Sequence, residues 1–340
     1  MSKINLKGLD LAELEDYVES IGEKRFRARQ LFGWMYGKGV RSFDDMTNLG
    51  AALRAKLAQQ ATVSLLELRT ALESRKDESI KYVFHLEDRM SIESVLMVEE
   101  HRTTLCISTQ VGCAIDCKFC ATGMMGLKRN LSSGEIVDQL LAVQFLSGHK
   151  VTNVVCMGMG EPFHNYDNLM TACALMSAAG GPGVARRHIV VSTSGLIPRI
   201  YQFADERQKY RLAISLNATR DDVRTRIMPL NKKWPIRALL DAARYYSEKM
   251  HHPVTFEYVL LNGINDSLDD ADRLKELMRG LLCKVNLIPY NATSGAYQRP
   301  PEHRILQFYS RLAGMRAPVT IRWSKGDDID AGCGQLAARS

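Results

Sequence analysis

Three textures of apolar patterning succeed one another along this chain. In the first sixty residues apolar side chains recur at helical spacing, and Leu11–Ser20, Arg25–Tyr36 and Leu49–Gln60 each predict a short amphipathic helix punctuated by Gly22, Gly37 and Gly39. From Val63 the spacing shortens toward alternation. VSLLEL, SIKYVFHLE and SIESVLMVEE are rich in β-branched and aromatic residues and predict two or three antiparallel strands. Beyond Leu105, short segments apolar on both faces alternate with helical ones, as parallel strands covered by helices do. The strands fall at Leu105–Thr109, Asn153–Met157, His188–Ser192, Leu212–Leu216, Val254–Leu261, Val285–Ile288 and Val319–Trp323. Among the helices, Glu135–Leu146 is best defined. Ser132 and Glu135 form a capping box, Ile136, Leu140, Val137, Leu141 and Phe145 make an apolar face, and Gly148 stops it.

Strand starts about 30–40 residues apart fit a series of βα units. The expected fold is α/β: a partial (β/α)6-type barrel over 105–325, preceded by a helical domain over 1–60 and a β extension over 61–104. A tail over 326–340 follows. Spacing alone does not separate a curved barrel from a flat sheet, but in both, functional groups collect past the C-terminal ends of the strands.

Composition narrows the class. The 340 residues are 46% apolar and 24% charged, with 45 basic and 38 acidic side chains giving +7, which excludes wholesale disorder. Uncharged runs such as Val151–Gly160 fall far short of the ~18 apolar residues a membrane span needs. The first twenty residues carry charge throughout and lack the apolar core of a secretory signal, so the cytoplasm is the expected compartment. The positive charge gathers in the barrel half. Arg299–Lys325 carries six Lys/Arg against Glu302, and Arg186-Arg187-His188, Arg224/Arg226 and Lys232-Lys233-Trp234 add further basic points, a distribution suited to phosphate contacts. KRFRARQLFGWMY, near the start, interleaves cations with aromatics. It reads equally as a platform for loop RNA and as a buried helical face of Phe26, Leu31, Trp34 and Met35 with solvated arginines.

The chemistry lies in the cysteines. Of eight, Cys106, Cys113, Cys117 and Cys120 fall within fifteen residues, and Cys333 lies between Gly332 and Gly334. In a reducing compartment such clustering indicates metal or redox chemistry. Cys113, Cys117 and Cys120, spaced C-x3-C-x2-C, can hold three irons of a [4Fe-4S] cube and leave the fourth open to a ligand. The alternative is a structural zinc held by Cys117, Cys120 and two other ligands, although no second C-x2-C or His pair accompanies them. Cys156, Cys173 and Cys283 lie in apolar patterns and read as core. Cys106 alone reads as a small buried hydrophobe. Cys333, in a segment of little apolar pattern, does not; a glycine-flanked thiol suits entry into a site.

The string CISTQVGCAIDCKFCATG…GLKRNLSSGEIVDQLL resembles the radical S-adenosylmethionine (SAM) superfamily, and within it the RlmN/Cfr family of RNA adenosine methyltransferases. The resemblance spans nearly the whole chain, from KRFRARQLFGWMYGKGVRSFDDMTNL through MGMGEP, VVSTSG, RIMPLN and VLLNGIND to RWSKGDDIDAGCGQL. It implies two SAM molecules per turnover, one methylating Cys333 and one split at the cluster to a 5′-deoxyadenosyl radical that activates the methyl group for addition to an unreactive adenine carbon. Cys106 would then attack the Cys333 sulfur and release the product, leaving a transient disulfide. Glu93, thirteen residues before Cys106, matches the family's proton acceptor; on its own it reads as a solvent-facing strand residue. The implied SAM contacts are Gly160 and Glu161, whose carboxylate can accept from the methionine ammonium, with Ser192, Ser215, Leu216, Asn217 and Asn291. Many relatives carry histidine where this chain has Asn217. The implied substrates are an adenosine of 23S rRNA near the peptidyl transferase centre and one in the tRNA anticodon loop, methylated at C2. The family also contains C8 enzymes that use the same cysteines. A flavodoxin-like electron donor and a monomeric state complete the expectation. A reading of another class, a non-catalytic iron–sulfur or zinc RNA-binding protein, predicts no need for Cys106 or Cys333.

Overall fold

The computed structural model describes residues 3–63, 66–293 and 295–337. Ser64 and Leu65, within the first expected strand, lie outside them. Ten strands form one sheet: β1 Glu67–Glu73, β2 Ser79–His85, β3 Ser91–Glu99, β4 Arg102–Cys106, β5 Asn153–Cys156, β6 Ile189–Thr193, β7 Arg211–Ser215, β8 Val254–Leu260, β9 Cys283–Pro289 and β10 Val319–Ile321. They pair strictly in chain order; β1 to β4 are antiparallel, and β4 to β10 are parallel. The seven parallel strands are those read from the sequence. The first lies three residues earlier than expected, because Thr103 and Thr104 are buried polar residues that hide its start from an apolar pattern.

The N-terminal helices are α1 Leu11–Ser20, α2 Phe26–Phe32 and α3 Ala51–Gln60, with α2 running on into a π-helical turn over Gly33–Gly37. After β4 comes α4 Ser133–Ser147, capped by Ser132 and Glu135 as expected. Its apolar face is narrower than read. Ile136, Val137, Leu140 and Leu141 are buried, but Phe145 is 69% exposed, one turn beyond the part of the helix that packs. Helices Tyr166–Met176, Ile197–Asp205, Asp221–Ile227, Ile236–Met250, Leu268–Leu277 and Glu302–Arg311 follow in the remaining connections.

The N-terminal helices share one apolar core with the barrel. A buried ion pair, Lys7 with Asp138 of α4, joins the two, and Asp138 also accepts from the Leu66 backbone at 3.2 Å. KRFRARQLFGWMY divides between its two readings. Leu31 and Met35 are buried, whereas Phe26 is exposed beneath Arg27, and the Trp34 ring carries Lys38 at 3.6 Å.

The tail crosses the gap between the two ends of the sheet. Lys325 pairs with Glu99 of β3 at 2.9 Å, Asp328 accepts from Ser74 Oγ and Arg75 N, and Gly326 N donates to Asp77 at 2.9 Å. The start of the tail is thereby tied to the β extension.

Candidate active site

The cysteine loop follows β4. Cys113 N donates to Gly126 O at 3.2 Å and Cys120 N to Cys117 O at 3.1 Å, so the loop is wound on its own backbone, and Lys118 N donates to Ile227 O at 2.9 Å, which ties it to the end of the helix Asp221–Ile227. A Cβ on Gly123 would lie 2.9 Å from Cys117 O, so the turn after the loop packs directly against it. Burial pushes the Cys113 thiol up to about 12 and raises Cys117 and Cys120 as well; Cys120 adds to the shifts of Cys113 and Cys117, and Cys333 to that of Cys120. Desolvated thiols of this kind ionise only with a positive charge beside them, which iron supplies. Their donor set fits an iron–sulfur cluster. Among the described residues no three His, Cys, Asp or Glu side chains converge as on a single metal ion; a cube needs one thiolate on each of three irons.

The Met159–Pro162 turn leaves the end of β5. Gly160 has φ +104°, and a Cβ there would lie 2.6 Å from Gln110 Cβ, so glycine is required by both conformation and space. Glu161 is 3% exposed and its carboxylate is already engaged: Oε2 accepts from Ser194 N at 2.7 Å and Ser194 Oγ at 2.6 Å, Oε1 from Phe163 N at 3.0 Å. It therefore ties the turn to the end of β6, with lone pairs left for a ligand. Ser192 and Ser215 fall on the same strand faces as the cavity-lining Val190 and Arg211, by the two-residue alternation. Leu216 is fully buried in the core. Asn217 adopts φ +57°, its Oδ1 accepts from Val259 N at 2.8 Å, and its amide reaches Met228 Sδ at 3.3 Å. The side chain thus joins β7 to β8. Asn291 donates to the Cys333 carbonyl at 3.1 Å and accepts from Ser324 Oγ at 2.6 Å.

Cys106 and Cys333 meet in one cavity of about 520 Å³ that occupies the barrel interior. Both thiols are free. Cys106 pairs with Val95 across the β3–β4 ladder, and Glu93 lies two residues along the same face. Glu93 is 5% exposed, so the solvent-facing reading of that residue is wrong. Its carboxylate lies 3.7 Å from Lys81 Nζ and accepts from Ala337 N in the tail at 3.0 Å. Further tail bonds run from Ala121 N to Gly334 O at 2.7 Å, Thr122 Oγ1 to Leu336 O at 2.6 Å and Gln335 to Ala292 O at 3.0 Å. Cys333 is consequently held over the cluster loop. A Cβ on Gly332 would lie 2.6 Å from Asn291 Nδ2, so that glycine allows close approach as well as freedom.

Pattern reading missed three charged members of this interior. Arg322 projects into the cavity, its guanidinium within the field of Cys333, Glu257 and Cys106, and it donates to Met157 Sδ at 3.4 Å. Glu257, on β8, is 5% exposed and lines the same space, and Lys81 partners Glu93. The strand alternation could have placed Glu257 on the inner face; nothing in the pattern separates Arg322 from the surrounding surface cations. Two basic points expected to meet phosphate are corrected accordingly. Arg322 faces the cavity, and Arg224 is fully buried, bonded to the carbonyls of Ser194, Ser215 and Leu216. Arg186, Arg187, Arg226, Lys232 and Lys233 are exposed.

Residues 4–63 match the ribosomal RNA large subunit methyltransferase N-terminal domain, and residues 107–274 match the radical SAM superfamily. A probable dual-specificity RNA methyltransferase RlmN from Alkaliphilus oremlandii is 45% identical over 99% of this chain and 98% of its own length. The dual-specificity RNA methyltransferase RlmN of an Anaeromyxobacter species is 46% identical over 98% and 90%. The crystal structure of a radical SAM methyltransferase from Sphaerobacter thermophilus superposes with a TM-score of 0.96 at 45% identity, covering 99% of this chain and all of that one. No helix among the described residues is long and apolar enough to cross a membrane. With the cysteine loop and the paired thiols of its interior, the chain belongs to the RlmN family of radical SAM RNA methyltransferases, enzymes that use SAM and a [4Fe-4S] cluster.

Proposed function

We propose that this enzyme methylates C2 of an adenosine in 23S rRNA, at the peptidyl transferase centre, and of an adenosine in the tRNA anticodon loop, carrying the methyl group on Cys333. The observation that supports this reading best is the meeting of two free thiols, Cys106 and Cys333, in one cavity beside the cluster loop. When bound, the cluster and two SAM molecules per turnover supply the methyl group and the one-electron chemistry that activates it. Cys113, Cys117 and Cys120 hold the cluster. Gly160, Glu161, Ser192, Ser215, Leu216, Asn217 and Asn291 line the SAM site, with Asn217 contributing through backbone because its side chain is engaged.

Glu93 accepts the ring proton from the substrate carbon, with Lys81 Nζ 3.7 Å from its carboxylate. Cys106 then attacks the Cys333 sulfur. The sulfur–sulfur bond forms as the Cys333 sulfur–carbon bond breaks, the electron pair leaves with the methylene carbon, and a proton there completes the methyl group. The helices of 1–60 and the exposed cations of the barrel bind RNA. A donor of the flavodoxin class supplies electrons, and the protein works as a cytoplasmic monomer.

Mass spectrometry of nucleosides from rRNA and tRNA fragments treated with the reconstituted enzyme tests this. 2-Methyladenosine in both is expected; 8-methyladenosine would overturn the assignment of C2, and an unmodified tRNA fragment would restrict the enzyme to rRNA.

A further inference from the structure

Cys106 is a buried thiol and must shed its proton to act as a nucleophile. Burial pushes its thiol up to about 12, with Cys333 adding to the shift and Arg322 opposing it. The sulfur that attacks Cys333 must therefore lose a proton as it reacts, and something in the cavity must take it. Glu93 is held by Lys81 and the Ala337 backbone and does not line that space.

Two carboxylates do line it. Glu99 is spent in ion pairs with Arg102 at 2.6 Å and Lys325 at 2.9 Å. Glu257 is different. Its Oε1 accepts from Asn286 Nδ2 at 3.0 Å, and Asn286 in turn accepts from Thr320 Oγ1 at 2.6 Å, which orients the carboxylate from below. Its Oε2 is buried without a hydrogen-bond partner. A buried carboxylate oxygen left unpaired is costly and calls for an explanation. Burial raises the Glu257 pKa, against the opposing effects of Arg322 and Asn286, and so makes it a stronger proton acceptor. Arg322 lies in the field of both groups: Cys333, Glu257 and Cys106 all act on its guanidinium, which donates to the Met157 thioether at 3.4 Å.

We propose that Glu257 is the proton acceptor for Cys106, with Arg322 exchanging the carboxylate for the thiolate as its counter-charge. The proton leaves Cys106 Sγ for Glu257 Oε2, and Arg322, balanced by ionised Glu257 before the transfer, is balanced by the Cys106 thiolate after it. The thiolate pair then forms the bond to the Cys333 sulfur, the Cys333 sulfur–carbon pair leaves on the methylene carbon, and the proton held on Glu257 completes the methyl group. The net charge of the three groups is unchanged by the first step and restored by the second. Cys156 on β5 is the other titratable group acting on Cys106, and it is fixed against Cys173. The inference rests on reading Cys106 as the thiol that resolves the Cys333 adduct.

The test uses full-length reconstituted enzyme and follows alkylation of Cys106 by iodoacetamide, peptide by peptide, from about pH 6.5 to 10. In Glu257→Gln the rate below pH 9 is expected to fall at least about tenfold and the profile to move upward, with Glu257→Asp recovering part of it. Identical profiles in Glu257→Gln and the parent overturn the proposal. In a second arm, RNA is added with SAM and reductant. Glu257→Gln is expected to methylate Cys333 at the parent rate yet accumulate a Cys333–RNA adduct, as Cys106→Ala does; release of product at the parent rate overturns the proposal. If Cys106→Ala accumulates no adduct, the resolving role of Cys106 fails, while the alkylation profile still decides whether Glu257 serves it. Should the Gln variant unfold, the Asp variant carries both arms.

Discussion

Arg224 makes five hydrogen bonds without touching solvent, to the carbonyls of Ser194, Leu216, Ser215 and Trp234 and to Asn231. Burial pulls its pKa down to about 10, still charged at neutral pH. Three of the carbonyls it gathers, those of Ser194, Ser215 and Leu216, belong to the ends of β6 and β7, where the proposed SAM contacts lie. Arg224→Met should therefore cost about 3 kcal/mol in urea unfolding, because several buried acceptors lose their partner together, and should also weaken SAM binding. Unchanged SAM affinity would show that the arginine only stabilises. Two cysteine substitutions test the carrier scheme at the same scale. Cys333→Ala should abolish methylation of the protein and of RNA, and Cys106→Ala should leave a covalent RNA adduct visible as a mass shift on the Cys333 peptide. Such single-residue roles are the least legible part of the sequence. Arg322 and Arg224 are typed as surface cations by any charge count, and only the fold turns one into the cavity and the other beneath two strand ends. Cys333, by contrast, is visible before folding, because Gly332 and Gly334 flank it in a stretch with no apolar period.

Whole elements are far more readable. The parallel strands are short, largely apolar and mostly buried runs, β10 alone being half-buried with Thr320 exposed, and α4 announces itself by its capping box. What escapes are stretches whose burial is polar: β4 begins early under Thr103 and Thr104, and the tail has no periodic pattern because it is held by single hydrogen bonds rather than by a face. That mode of attachment is sensitive to small steric change. Gly332→Ala would drive a methyl group to 2.6 Å from Asn291 Nδ2 and dislodge Cys333 from its bond to that side chain. RNA methylation should fall at least about tenfold, a 1.4 kcal/mol misplacement, with the iron–sulfur absorbance and the melting temperature near parent values. A fully active variant would mean that the tail is not held at Asn291 during turnover.

For the molecule as a whole, thiols buried against water couple stability to alkaline pH. Burial raises Cys283 to about 11. Its folded value lies above its unfolded one of about 8.5, so the contribution is fully present below that pH and is lost as pH climbs toward 11. Cys283→Ala should flatten the decline in stability between about pH 8 and 10.5 by on the order of 1–2 kcal/mol, read from urea midpoints across that range. An equally steep decline would locate the alkaline sensitivity elsewhere.

The cavity has a second doorway. Its lining runs the full height of the strands, from Cys106 and Cys333 at one end to Arg102, Arg211, Lys284 and Thr320, all exposed, at the other. With a structured RNA covering the cluster side, the opposite rim remains open to solvent, and it is cationic. Were the proposed Cys106–Cys333 disulfide to form, a small anionic reductant would have a route to it from this rim that does not pass the RNA. In the proposed scheme, recharging the enzyme and letting go of its product would then be two clocks that run independently.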